Sequence, residues 1–201
     1  MNASDHETAA ELTETLAPIY QLLGQLYLEP PTERRVEQLR SLCAELDDPS
    51  LPPELAEAVE TVRTASVDLD ELKGAFTRLL QGVSFGGAVA PPYESLYLDG
   101  VLNGPSSTEV EAFYQGAGVE LAVDDELIDH AGYELAFLGE LCASGDTERQ
   151  HAFVRTHLGS WIVDYHDEAR GTEPPAFYRG VFALTESLIE LHAETLEHDD
   201  E

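Results

Sequence analysis

Apolar residues recur at three- and four-residue steps through most of this chain, the spacing that lines one face of an α-helix. Leu12, Leu16, Ile19/Tyr20, Leu23 and Leu26/Tyr27 predict a first helix. Val36, Leu39, Cys43 and Leu46 predict a second, which stops at Asp47-Asp48-Pro49. Pro52-Pro53 suits the first turn of a third helix bearing Leu55, Val59 and Val62. Asp68 followed by Glu71 reads as the capped start of a fourth, with Leu69, Leu72, Phe76 and Leu79 on its stripe. From Gly82 to Pro92 the periodicity fails, in a run with three glycines and two prolines. Beyond it, Ser106 with Glu109 predicts a capping box for a short helix carrying Val110, Phe113 and Ala117. Asp124 and Asp125 precede a longer stripe of Leu127, Ala131, Leu135, Leu138 and Cys142, closed by Gly145. Val154, Leu158, Trp161/Ile162 and Tyr165 mark the next helix, halted near Gly171. Pro174-Pro175 opens the last, with Tyr178, Val181, Leu184, Leu188 and Leu191.

No alternating strand of useful length and no internal repeat interrupts this pattern. The expectation is an all-α, single-domain bundle of roughly eight or more helices. Its parts would be an N-terminal helical half (8–81), a linker or hinge loop (82–92), a C-terminal helical half (93–196) and an acidic tail (197–201).

Composition sharpens the picture. A chain of 201 residues is long enough for one substantial core, and 43% apolar content argues against disorder. The charge balance is unusual, with 40 acidic residues against 10 basic ones and a formal net charge of −30. Such a surface repels phosphates, so no nucleic acid partner is expected. The acids run along the whole chain, which points to solubility in concentrated salt, a halophilic trait, ahead of one basic partner. At about 1 M salt the screening length is ~3 Å, so any partner must be held by contact.

Cys43 and Cys142 fall at apolar-periodic positions and read as reduced core residues. Met1 to Glu14 is polar and acidic, the reverse of a signal peptide. No apolar run approaches the ~18 residues of a membrane helix, so no membrane insertion and a cytoplasmic location are expected. Arg34-Arg35 is followed by Val36-Glu37-Gln38, which reads as a helix face and not as an export leader.

One region concentrates candidate chemistry. Nothing from Leu79 to Tyr93 carries a formal charge, and the run ends in Tyr93-Glu94-x-x-Tyr97. Asp129-His130 and Glu134 follow further on. These residues could be polar anchors at the rim of an apolar recognition groove. Tyr93, Tyr97 and Trp161 would then supply contact area, and Glu94 could pair with an arginine. The plainer alternative makes Asp129 a first-turn acid, His130 a boundary residue bonded to Glu134, and the tyrosines loop packing.

Metal binding would draw on His130, Glu134, His151, His157 and His166. Only Glu148-x-x-His151 has the spacing of a bundle-type di-iron ligand pair, so a helical metal- or ligand-binding protein is the alternative reading. Gly-x-Ser-x-Gly, Gly-x-x-x-x-Gly-Lys and Gly-x-Gly-x-x-Gly are all missing from the sequence. No catalytic residue, no cofactor and no enzymatic activity are therefore expected.

The same segments carry a resemblance. Tyr20-Gln21-Leu22-Leu23, Leu26-Tyr27, Pro30-Pro31 and Phe76-Thr77-Arg78-Leu79-Leu80-Gln81-Gly82 join Pro91-Pro92-Tyr93-Glu94-Ser95-Leu96-Tyr97, Asp129-His130, Glu134-Leu135 and His157-Leu158-Gly159-Ser160-Trp161 in one order. Together they resemble the TorD/DmsD/NarJ family of cytoplasmic chaperones that mature molybdenum-containing redox enzymes. Relatives often place proline before Asp-His. Here Ile128 stands there, so more regular helix is expected around Asp129.

The resemblance implies a partner: the catalytic subunit of a molybdopterin-dependent oxidoreductase, held by its twin-arginine leader or in its apo form until cofactor insertion is complete. It also implies a peptide-binding role for Asp129 and His130, beside Tyr93, Glu94, Tyr97, Glu134 and Trp161. The client's acceptor, and the choice between monomer and domain-swapped dimer, stay open at this level.

Overall fold

Most of the predicted stripes form helices and turn inward, in a computed structural model that describes residues 3–46, 51–82, 89–119 and 128–197. Among these residues ten helices follow in order: α1 (Ala3–Leu28), α2 (Glu33–Glu45), α3 (Pro53–Thr64), α4 (Leu69–Leu79), α5 (Glu94–Leu98), α6 (Pro105–Gly116), α7 (Ala131–Ser144), α8 (Thr147–Thr156), α9 (Leu158–Arg170) and α10 (Ala176–Glu197). No strand occurs among the described residues; one isolated antiparallel bridge joins Tyr93 to His130. The chain is an all-α bundle, as its periodicity predicts.

Local signals act where the sequence put them. Asp68 accepts from the backbone N–H groups of Asp70 and Glu71, Pro53 occupies the first turn of α3, and Gly145 ends α7 at φ 71°. Cys43 and Cys142 are free and buried.

Three local expectations are corrected. α6 does not use the Ser106/Glu109 box; Gly104 is its N-cap, and Asp99 accepts from both the backbone and the hydroxyl of Ser106 (2.9 and 2.7 Å). The single stripe from Val154 to Tyr165 is two helices, broken at His157 (φ −119°, ψ −103°), where the chain turns a corner. The helix expected from Leu127 is described from Ala131, with residues 128–130 outside it and Leu127 beyond the described residues.

The core is continuous across the chain's midpoint. α1 lies along α7, and α3 lies along α10, so each of these packings joins a helix before residue 82 to one after it. Glycine permits the first. A Cβ on Gly24 would sit 2.6 Å from the Gly132 carbonyl oxygen, and one on Gly132 2.5 Å from Leu28 Cγ. The two helix backbones therefore approach more closely than any side chain would allow. Trp161, Tyr20, Tyr27, Tyr165, Tyr178 and Phe76 are among the largest fully buried side chains and fill the space between the layers. The short α5 rests on α6 and α9 at one corner of this bundle.

Candidate functional site: the α5 corner

The two motifs singled out in the sequence form one structural unit. Glu94 donates its backbone N–H to the Asp129 carbonyl, and Ala131 donates to the Pro92 carbonyl, both at 2.9 Å. Between these bonds the Tyr93 and His130 rings meet edge to face, 4.9 Å apart. Of the uncharged run, residues 83–88 lie outside the described residues, whereas Val89 is buried and Pro91–Tyr93 lead into α5.

Asp129 is not a first-turn acid of its own helix. It sits in a turn, and His130 keeps extended dihedrals (φ −77°, ψ 136°), so the regular helix expected from Ile128 does not form. Asp129 is needed elsewhere. Its Oδ2 accepts from the Ser95 backbone N–H (2.9 Å), and its Oδ1 accepts from the Ser107 hydroxyl (3.2 Å). One buried carboxylate thereby satisfies a first-turn N–H of α5 and ties that helix to α6. His130 is the N-cap of α7, its Nδ1 accepting from Gly132 N–H at 3.0 Å. Its side chain therefore bonds to backbone at the start of α7, from a position outside the helical turn that holds Glu134.

Beneath α5 lies a set of buried acids. Glu94 is 1% exposed, Asp129 and Glu134 0%. The Nδ1 of His157 contacts both oxygens of Glu94, at 3.1 and 3.2 Å. Trp161 donates its indole N–H to Glu134 Oε2 at 3.2 Å. The other oxygen of Glu134 finds no donor among the described residues.

Burial raises the Glu134 carboxyl well above the usual carboxylate range, and the charges of Glu94 and Asp129 push it the same way. Burial also raises Glu94, against the opposing pull of His157. A proton on Glu134, donated to Glu94, satisfies the orphaned oxygen and removes one of two adjacent negative charges. That is the arrangement this geometry favours.

Above the acids the site turns aromatic. Tyr97 stacks on Trp161 at 5.5 Å between ring centroids and meets Tyr165 edge-on at 6.0 Å. Its hydroxyl reaches both the Ala90 carbonyl and Glu168 Oε2, each at 3.2 Å. Tyr93 and Tyr97 are half-buried, while Trp161 is 1% exposed. The seven residues expected in the site thus come together at one corner. Glu94, Asp129, Glu134 and Trp161 lie under the surface and not at a rim, because α5 folds down over them. His157, Ser95 and Ser107 were missed as members. His157 stands within a quoted motif, but its partner Glu94 is 63 residues earlier, a distance that no local pattern bridges.

Among the described residues, no group of three or more His, Cys, Asp and Glu side chains is placed to hold a metal ion. His130 is used on backbone, and Glu134 on Trp161 and Glu94. No described helix is long and apolar enough to cross a membrane.

Comparison with known sequences fits this corner into a wider pattern. The sequence profile of the nitrate reductase delta subunit family matches residues 45–167, more than half of the chain. The chain belongs to that family. The matched span contains α5, both halves of the Tyr93–His130 bridge, the acids beneath it, His157 and Trp161.

Relatives named chaperone protein TorD extend the similarity. The one from Shewanella pealeana is 28% identical over 120 residues, about half of each chain (55% and 54%). The one from Vibrio vulnificus strain YJ016 is 26% identical over 206 residues, 91% of this chain and 95% of that one. The one from Colwellia psychrerythraea is 25% identical over 238 residues, spanning 99% and 100%. In three dimensions, a crystal structure of a candidate redox enzyme maturation protein from Archaeoglobus fulgidus superposes with a TM-score of 0.56. It covers 90% of this chain and 94% of that one at 18% identity, so the two share a fold.

Proposed function

We propose that this chain is a cytoplasmic, non-enzymatic chaperone for the catalytic subunit of a molybdopterin-dependent oxidoreductase. It would hold the subunit's twin-arginine leader, or its apo form, until the cofactor is in place, and would prevent premature export. The observation that carries this reading is similarity along nearly the whole chain to proteins named TorD chaperones, with the family's matched span enclosing the α5 corner.

The work asked of such a protein is reversible occlusion, which needs a preformed contact surface and no covalent chemistry. Glu94, Asp129, Glu134 and Trp161 supply the rigid frame, His130 closes it against α7, and Tyr93 and Tyr97 offer broad, half-exposed rings above it. Phenol rings suit a peptide that is part apolar and part polar, and they lose little conformational freedom on binding. The helix pairs joining the two halves of the chain support a single domain as the working unit.

Calorimetry tests the reading. Titrating the leader peptide, and separately the apo catalytic subunit, of a molybdoenzyme from the same organism into the chaperone in concentrated salt should give saturable heat with wild type. Asp129→Ala, which removes the anchor of α5, should bind about tenfold more weakly. Absence of binding to both titrants sinks the proposal.

A further inference from the structure

Helix α5 is seated on the bundle by its polar residues. Of its five positions the buried ones are Glu94 and Ser95, while Leu96 and Tyr97 are half-buried and Leu98 is 46% exposed. The turn that follows leaves Val101 (54%) and Leu102 (44%) in water as well. A surface helix ordinarily buries an apolar stripe and keeps its charges outside. This one inverts the rule, with the Tyr97 ring on Trp161 as its broad apolar contact. Its hold on the bundle therefore depends on hydrogen bonds and, through them, on charge.

The bonds that seat α5 converge on carboxyls from three segments. Asp129, in the turn before α7, takes the Ser95 N–H and, from α6, the Ser107 hydroxyl. Glu94 reaches His157 at the corner between α8 and α9 and lies against Glu134 of α7. The other titratable neighbours are phenols. Tyr114 of α6 interacts with all three acids and with Tyr133, and its hydroxyl donates to the Ile128 carbonyl at 3.3 Å. Tyr97 donates to Glu168 of α9, with the charge of Asp164 close by. Among the described residues no arginine or lysine bonds to Glu94, Asp129 or Glu134.

The frame under α5 is fixed. α7 is locked to α1 where Gly24 and Gly132 bring the backbones together, and Trp161 is buried on α9. Glu134 therefore cannot withdraw from Glu94, but Glu94 can withdraw from Glu134 by carrying the first turn of α5 outward. We infer that α5 is a proton-controlled latch, closed while a proton sits between Glu94 and Glu134 and released when that proton leaves. Without it, adjacent carboxylates face each other in a space that excludes water. Lifting α5 restores Glu94 to solvent and gives up two backbone bonds to Asp129, those of the Glu94 and Ser95 N–H groups. Burial raises both glutamates in the closed state, so closure is favoured at low pH and weakens as pH climbs. The latch is a property of the bundle and stands whether or not the chain is a chaperone.

Hydrogen exchange read by mass spectrometry tests it, from about pH 5 to about pH 8, on peptides spanning residues 93–99 and, for comparison, residues 16–26 of α1. Rates are divided by those of the unstructured chain at each pH. In wild type the protection of the α5 amides should stay below that of α1. It should also fall about tenfold per pH unit, since each opening releases one proton. Glu134→Gln, which needs no proton to donate to Glu94, should make α5 protection independent of pH. Glu94→Gln, whose amide donates to a charged Glu134, should do the same. Circular dichroism checks that both variants keep their helices, and the wild-type slope and its contrast with α1 stand without either variant.

Equal protection in α5 and α1 means that α5 opens only when the whole bundle does, and overturns the latch. So does a wild-type protection that ignores pH, or a slope that survives in either glutamine variant. A slope kept in Glu134→Gln but lost in His157→Gln assigns the proton to the imidazole and likewise overturns it.

Discussion

Two polar networks lie buried in this protein, one between α1, α9 and α10 and one beneath α5, and their charge balances are opposite. In the first, the Tyr27 hydroxyl meets His166 Nε2 at 2.7 Å, and His166 Nδ1 meets Glu186 Oε1 at 2.8 Å. Glu186 also pairs with Arg170. Nearby, His192 Nε2 donates to Gln150 Oε1 at 3.0 Å, and Tyr20 donates to the Leu188 carbonyl at 3.0 Å. Gln150 in turn gives its amide N–H to the Leu141 carbonyl at 2.9 Å, which fixes its orientation. Burial works to raise Glu186, yet the bonds from His166 and Arg170 outweigh it and hold the carboxyl below its usual range. One acid here answers to one arginine, and the imidazoles are held neutral by burial.

The network beneath α5 sets three carboxyls against one imidazole, with no arginine or lysine bonded to them among the described residues. It closes only by keeping a proton. The balanced network acts as a fastener whose loss damages the fold. The acid-rich one holds up a surface, α5 and its turn, where aromatic rings and apolar side chains reach solvent. Buried polarity thus serves two ends in one small bundle, and the charge count distinguishes them.

The largest effect should come from breaking the fastener. His166→Ala leaves the Tyr27 hydroxyl with only its long bond to Thr185 (3.4 Å) and opens a cavity beside Phe182, whose ring stacks on His166 at 4.7 Å. Urea unfolding should show a loss of roughly 3 kcal/mol, with the affinity for a leader peptide unchanged in the molecules that remain folded. A loss below ~1 kcal/mol would mean that the two networks do not differ in structural weight.

Acid should reveal the next effect. Burial lowers His192 from 6.5 to about 4, with His151 adding to the shift. A histidine depressed on folding contributes stability that is complete above its unfolded value and disappears as pH falls through its folded value. Wild type should therefore lose up to roughly 3 kcal/mol between pH 6.5 and about 4 relative to His192→Gln, whose side chain does not titrate. Parallel stability curves for the two proteins across that window contradict the assignment.

The smallest effect carries the opposite sign. A carboxyl raised on folding contributes stability that is complete below its ordinary value of 4.5 and is lost as pH climbs through the folded value. Glu134→Gln keeps a donor for Glu94 and an acceptor for Trp161 without needing a proton. It should stabilise the protein by about 1 kcal/mol at neutral pH, with the gain vanishing near pH 4.5. Stability below wild type at pH 7 would falsify a proton on Glu134 and remove half of the contrast between the two networks.

Much of the helical layout is legible in the chain because burial of one helix face demands apolar residues every three or four positions. Leu16, Tyr20, Leu23 and Tyr27 on α1, like Tyr178, Val181, Leu184 and Leu188 on α10, all turn inward. Caps and stops at Asp68, Pro53 and Gly145 are legible for a similar reason: each answers to backbone groups a few residues away. The candidate site is legible only as a set of names. Its residues do gather, but Asp129 leaves the helix its neighbours predict in order to cap α5, and α5 is too short to show a stripe. The break at His157 is equally invisible, since the apolar step runs through it without interruption.

What the sequence determined by itself is therefore most of the helices, their inward faces and the acidic coat, all consequences of local periodicity and composition. Tertiary structure alone decided which faces meet, because contact depends on shape at positions that carry no periodic mark. Gly24 and Gly132 look like flaws in their helices until the backbones of α1 and α7 are seen to touch there. Glu94 and Glu134 likewise have their carboxyls raised only when distant segments fold over them and exclude water, since desolvation disfavours the charged form.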